Sequence, residues 1–309
     1  MKTQISKADV YTRVTDRIIA ALETGVRPWL KPWSVPKEGR STVLPLRHNG
    51  TPYRGINILL LWGDAMEKGF TRNVWMTFKQ AEERGAHVRK GEHGSLVVYA
   101  DRATKTETNE MGEETERAFG FMKAYTVFNV EQIEGLGDAF TAPLAPKDDG
   151  HTVELIEKAE AFFAGTEAVF RHGGIRALYA PGPDVIQLPP PQAFRDAESY
   201  AAIKAHELIH WTGHQSRMAR EFGKRFGDRA YAFEELVAEM GAAFLCADLG
   251  IAPEPREDHA AYLASWLKVL KEDKRAIFSA AAHAQRAADF LHGLQQTEGS
   301  GEEAEPVAA

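Results

Sequence analysis

Residues 205–214 read AHELIHWTGH, and within them His206-Glu207-Leu208-Ile209-His210 has the form HExxH. On a helix, positions four apart lie on one face, so both imidazoles can reach a single cation. Glu207 follows the first histidine. It can face a water held by that cation and serve as general base without taking a coordination position. The stretch Tyr200–Ala205 ahead of the motif has helical character, and Trp211-Thr212-Gly213 lets the chain turn away after it.

A catalytic zinc needs a third protein ligand and one open position. Downstream, FEELVAEMGAAFLCADLG forms a strong helix ended by Gly250. Glu235 and Glu239 share one of its faces, and Gly241-Ala242-Ala243 keep a side slim enough to pack closely on the HELIH helix. The Glu235-x-x-x-Glu239 spacing resembles the zincin pattern of a ligand glutamate followed four residues later by an acid that orients a ligand histidine from behind. That resemblance implies His206, His210 and Glu235 as ligands of Zn2+, with Glu239 in the orienting role. Glu239 itself and His214, one turn beyond His210, remain alternative ligands, and Glu234 is read as a solvated residue. Cys246 lies in an apolar helix and reads as core. The strand Asp184–Leu188 is either an edge that takes a substrate backbone by strand addition or an ordinary core strand.

The rest of the chain fits around this centre. It has 309 residues, 44% of them hydrophobic and 26% charged, enough apolar material for one large or two ordinary domains. The single cysteine excludes an intramolecular disulfide. With no leader-like start and no long apolar run, the expected location is the cytoplasm, with no membrane partner.

Val10, Val14, Ile18, Ile19 and Leu22 form one face of a helix over 8–24. Helices are also expected over 56–68 and 77–84. A hairpin is expected around Lys90–Gly94, followed by a polar loop or tip over 101–117 and a strand over 121–129. The Gly-, Pro- and Asp-rich stretch 135–150 reads as a linker. Beyond it come a helix over 151–163, strands near 167–170, 176–180 and 184–188, the HELIH helix, and three more helices. The fold class is therefore α+β with two domains, 1–134 and 151–296, and an acidic, disordered tail over 297–309.

Charge separates the two halves. Residues 1–100 hold 16 Lys/Arg against 9 Asp/Glu, a net of +7, while 101–309 hold 21 against 35, a net of −14. Trp29, Trp33, Trp62 and Trp75 also lie in the first hundred residues. Cations for phosphates and flat rings for bases suit single-stranded nucleic acid. Arg27, Trp29, Lys31, Trp33, Arg54, Lys79, Arg89 and Lys90 are the candidate contacts, whereas Trp62 and Trp75 sit in apolar patterns and read as core.

Several long segments resemble the ArdC-type antirestriction proteins of conjugative plasmids and the N-terminal part of TraC-type primases. They are YTRVTDRIIAALETGVRPWLKPW, GTPYRGINILLLW, WMTFKQAEERGAHVRKGEHGSLVVY and YTVFNVEQIEGL in the first half. In the second half they are AHELIHWTGHQSRMAR and YAFEELVAEMGAAFLCADLGI. The resemblance spans roughly residues 5–290. It implies an N-terminal domain that binds single-stranded DNA and a C-terminal zincin-like metallopeptidase domain. It also implies protection of incoming plasmid DNA from host restriction. The second half is similar, too, to SprT and Spartan type proteases, which act on DNA-bound protein; the peptidase reading takes a host protein as substrate. Three readings stay open: a peptidase carried to DNA, a non-enzymatic DNA-binding shield, and an accessory module of replication priming.

Overall fold

The computed structural model describes residues 7–29, 44–108, 114–141, 149–223, 228–251 and 260–295. Contacts divide the chain into two compact units. The first comprises 1–28, 45–143 and the short stretch 270–277; the second comprises 29–44, 144–269 and 278–309. The sequence assigns 270–277 to the second domain, but side chains of the first helix hold it. Thr15 donates to the Lys274 carbonyl at 2.6 Å, Lys271 pairs with Glu23 at 2.6 Å and Lys274 pairs with Asp16 at 2.5 Å.

In the first unit, α1 (Lys7–Glu23) buries the face expected for it: Val10, Val14, Ile18, Ile19 and Leu22. Strand β1 (Leu46–Arg47) precedes α2 (Ile56–Lys68), which stops at Gly69. Gly69 takes φ +71°, a left-handed conformation that only glycine adopts cheaply, and its N–H closes on Ala65 and Met66 carbonyls. Strand β2 (Val74–Met76) and α3 (Phe78–Glu82) follow; Thr77 and Gln80 cap α3 reciprocally.

Strand β3 (His87–Val88) does not pair across the Lys90–Gly94 turn, as its sequence suggests. It pairs antiparallel with β6 (Ile133–Glu134). Gln132, next to β6, holds Glu92 at 2.8 Å and the His93 carbonyl at 3.1 Å, so the 89–94 turn is fastened to a distant segment.

Strands β4 (Ser95–Thr108) and β5 (Glu114–Asn129) form one long hairpin, in register from Ser95↔Val127 to Thr108↔Glu114. Residues 101–108 and 114–117 are therefore strand, not loop. Thr104, Thr106 and Thr108 supply β-branched residues there, which favour a strand. The four-stranded sheet runs β1-β2-β5-β4. At its β4 edge the Asn57 amide exchanges two 2.8 Å bonds with the Val98 backbone, and so occupies groups another strand would seek. The expected linker region holds the short helix α4 (Asp138–Thr141) and the start of α5.

In the second unit, α5 (Asp149–Ala164) leads into a three-stranded sheet of β7 (Val169–His172), β8 (Leu178–Ala180) and β9 (Val185–Leu188). The order is β7-β9-β8, parallel then antiparallel. β9 is thus the central strand and cannot be the edge that accepts a substrate backbone; β8 holds an outer position. Helix α6 (Ala197–Thr212) starts at Asp196, whose carboxylate accepts the Ser199 N–H at 2.7 Å, and carries HELIH.

Helix α7 (Arg229–Leu249) packs on α6, and α8 (Ala260–Glu272) and α9 (Ala276–Gln295) complete the set. The α6–α7 contact is close because position 241 is glycine. A Cβ there would stand 2.9 Å from Ile209 Cδ1 and Cγ2. Leu208, Ile209, Leu236, Val237, Met240 and Leu245 are fully buried around this contact. Each contributes about 1.5–3 kcal/mol on burial, which helps offset the cost of the polar residues between them.

Candidate metal centre

Helix α6 presents His206, Glu207 and His210 toward α7, which presents Glu234, Glu235 and Glu239. His206, His210 and Glu235 each offer one donor atom, and all three lie within 4.8 Å of one another. His206 Nε2 stands 3.6 Å from Glu235 Oε2, and His210 Nε2 stands 3.7 Å from Glu235 Oε1. The opposite nitrogens face other carboxylates. His206 Nδ1 is 3.6 Å from Glu239 Oε1, and His210 Nδ1 is 3.1 Å from Glu234 Oε1. Both imidazoles therefore turn Nε2 into one space and have an acceptor behind them, the arrangement that fixes tautomer and ring orientation in metal sites. Two imidazole nitrogens and a carboxylate oxygen suit zinc and related divalent ions.

The electrostatics agree with a site short of positive charge. His206, His210, Glu207, Glu234 and Glu239 are all buried. Burial pushes the His206 imidazolium toward neutrality, but Glu235, Glu207 and Glu239 outweigh it and raise its pKa to about 9. Burial likewise opposes charge on Glu235, yet the histidines hold it down at about 2. A proton on His206 thus stands where a cation's charge fits. No hydrogen bond to the Glu207 carboxylate is found among the described residues, which leaves it open to a water or a substrate.

Glu234 corrects the sequence reading. It is 2% exposed, not solvated, and Arg220 grips it with Nε and Nη2, both at 2.9 Å. The signal lay in α7 itself: apart from its three glutamates, FEELVAEMGAAFLCA is apolar, so that helix had little solvated face to offer. Tyr231, one turn before Glu235, also escaped the sequence. Its hydroxyl lies 3.3 Å from that of Tyr262, and burial, Tyr262 and Glu235 raise its pKa. His214 is not brought to the cluster. Helix α6 ends at Thr212, and the His214 ring bonds Ser216 at 2.7 Å instead. Cys246 is buried, and its thiol is pushed up to about 12 by that burial.

Lys204 anchors α6 just before the motif. Its ammonium bonds Glu160 at 2.6 Å and lies over the rings of Phe163, Phe170 and Tyr200.

The candidate DNA contacts do not all lie where expected. Arg54, Lys79, Arg89 and Lys90 are exposed on the first unit. Lys79 pairs with Glu83 at 3.5 Å and Arg89 with Glu92 at 2.6 Å. Arg27 is half-buried. Trp29 is only 1% exposed and packs edge-on against Trp266 at 5.5 Å, so it cannot stack on a base. Lys31 and Trp33 lie outside the described residues. Trp62 and Trp75 are core, as expected. Among the described residues of the first unit, the exposed rings are Phe78, Tyr99 and Tyr125, with Tyr99 and Tyr125 6.4 Å apart.

A family model for the N-terminal domain of the anti-restriction factor ArdC matches residues 8–128, and one for zincin-like metallopeptidases matches 157–283. The uncharacterized protein y4eC of Sinorhizobium fredii is 41% identical over 300 residues, covering 95% of each chain. The DNA primase TraC of Escherichia coli is 39% identical over 94% of this chain, but that match spans only 28% of the primase. The metal-free crystal structure of the antirestriction protein ArdC from plasmid R388 is 45% identical. It superposes with a TM-score of 0.77, covering 94% of this chain and 98% of that one. Its Mn(II)-bound form gives 43% identity and a TM-score of 0.73, covering 95% and 100%.

Proposed function

The chain belongs to the ArdC family of antirestriction proteins, and from that premise we propose a division of labour between its two units. The first binds single-stranded DNA, and the second holds a zinc ion through His206, His210 and Glu235 and cleaves a host protein. Together they protect incoming plasmid DNA from restriction during conjugation, in the cytoplasm of the recipient. Among the described residues no helix is long and apolar enough to cross a membrane.

The observation that carries the reading is the three-donor cluster of His206, His210 and Glu235, with the buried carboxylate of Glu207 next to His206 on α6. A divalent cation bound there supplies Lewis acidity, which polarises a carbonyl and lowers the pKa of water. Glu207 is placed to take the proton of the attacking water and pass it to the leaving amine. Glu239 and Glu234 hold the Nδ1 sides of the histidines, keeping both Nε2 atoms turned inward. For the DNA half, support comes from the exposed cations Arg54 and Lys90 and the exposed rings of Tyr99, Tyr125 and Phe78 on the first unit.

Glu207→Ala separates this reading from that of a passive DNA shield. The substitution leaves metal and oligonucleotide binding in place. It is expected to abolish protection in a transfer assay into a restricting recipient, while protection at the wild-type level favours the shield.

A further inference from the structure

Arg220 occupies an unusual place for a cation: its side chain is 3% exposed and bonds the end of α6 and Glu234, with Met218 Sδ 3.5 Å from Nη1. Nε meets Glu234 Oε2 at 2.9 Å, and Nη2 meets Glu234 Oε1 at 2.9 Å and the Ile209 carbonyl at 2.6 Å. Nη1 meets Thr212 Oγ1 at 2.9 Å. One guanidinium thus closes the C-terminal end of α6, where positive charge is favoured, and grips a buried carboxylate in a two-point fork. The approach depends on Gly213, since a Cβ there would stand 2.8 Å from both Arg220 Nη2 and Phe222 Cζ.

Glu234 in turn faces His210 Nδ1 at 3.1 Å. Arg220 holds both oxygens of Glu234, and the oxygen that takes its Nη2 is the one that faces His210, so the guanidinium fixes the carboxylate against which the ring is set.

Resting on the metal-site reading above, we propose that Arg220 and Glu234 act as a positioning pair for His210. The segment that follows α6 thereby sets the affinity of the metal centre. That segment is itself fastened to the β8–β9 turn. Arg217 forks onto Asp184 at 2.9 and 2.5 Å, donates to the Trp211 carbonyl at 2.7 Å and lies 3.8 Å over the Trp211 ring. His214, Gln215 and residues 219–222 then line a cleft of about 410 Å³ with Pro181 and Gly182. Phe222 in its wall lies 6.3 Å from the His210 ring. Loading the metal and ordering this wall are two sides of one equilibrium: whatever loosens the segment frees His210, and whatever holds His210 orders the segment.

The test compares the full chain with Glu234→Gln, Arg220→Met and the double variant Arg220→Met/Glu234→Gln. Zinc affinity is read by chelator competition, site geometry by the visible spectrum of the Co(II) form, and the fold by melting of the metal-free protein. Glu234→Gln and Arg220→Met are each expected to weaken zinc binding about 10–100-fold and to alter the cobalt spectrum. Arg220→Met also lowers the metal-free melting temperature. The double variant recovers that melting temperature, because no buried charge is left unpaired, but not the affinity. A double variant with wild-type affinity and an unchanged cobalt spectrum overturns the proposal and leaves the pair a purely structural contact. Should Arg220→Met fail to fold, wild-type affinity in Glu234→Gln alone overturns it equally. A wild-type protein that binds neither zinc nor cobalt overturns instead the metal-site reading beneath it.

Discussion

At the residue scale, the behaviour of the centre turns on one proton. His206 has a pKa of about 9 in the metal-free fold against an ordinary value of 6.5, because Glu235, Glu207 and Glu239 outweigh its desolvation. The folded value lies above the unfolded one. The proton therefore stabilises the metal-free fold fully below pH 6.5, and that stabilisation fades as pH rises through 9. A cation needs the same nitrogen bare. Zinc affinity should accordingly rise with pH between 6.5 and 9, by up to about tenfold per unit, as titrations at fixed chelator strength would show. An affinity flat across that range would mean His206 is not a ligand. Glu235 stays charged down to about pH 2, so loss of metal on mild acidification belongs to imidazole protonation and not to the carboxylate.

At the element scale, the site exists because two helices come close. Gly241 lets Ile209 of α6 lie against α7, and Glu235 and Glu239 lie within two turns of that contact. Gly241→Leu should push the helices apart. Overpacking of this kind costs about 1–3 kcal/mol, and the thermal midpoint should fall together with zinc affinity. A variant that loses stability but keeps wild-type affinity would detach the site from the packing.

Much of this level was legible in the sequence. The HELIH spacing, the paired glutamates of α7 and the slim Gly-Ala-Ala stretch are local patterns that report directly on one helix face. The helix stops at Gly69 and Gly250 follow from backbone conformation at a single residue. What escaped was set by distant partners. His87–Val88 pairs with Ile133–Glu134 and not with its neighbour across the turn. The polar run 101–117 is largely strand because its partner strand lies beside it. Glu234 is buried because Arg220, fourteen residues upstream, meets it.

At the scale of the whole molecule, the basic excess of residues 1–100 does not fall on one unit: residues 29–44 belong to the second, and residues 101–143, with 4 Lys/Arg against 9 Asp/Glu, offset it in the first. Composition alone placed Trp29 among the DNA contacts, but its depth in the second unit rules that out. Exposed rings lie instead at Tyr99, Tyr125 and Phe78. Tyr99→Ala/Tyr125→Ala should weaken binding of a single-stranded oligonucleotide by about 1–3 kcal/mol per lost stack. The salt dependence of binding should stay nearly unchanged, since no phosphate contact is removed. Fluorescence anisotropy across a salt series reads both. Equal binding by the variant would move the DNA surface elsewhere on the unit.

The most direct test of the metal centre is the metal content of the purified full chain beside that of His206→Ala/His210→Ala, measured by mass spectrometry of the element after removal of free ions. The expected result is about one equivalent of divalent metal in the wild type and nearly none in the variant, with matching far-UV circular dichroism. A wild type that carries and binds no metal, or a variant that binds it equally, would contradict the assignment of His206, His210 and Glu235.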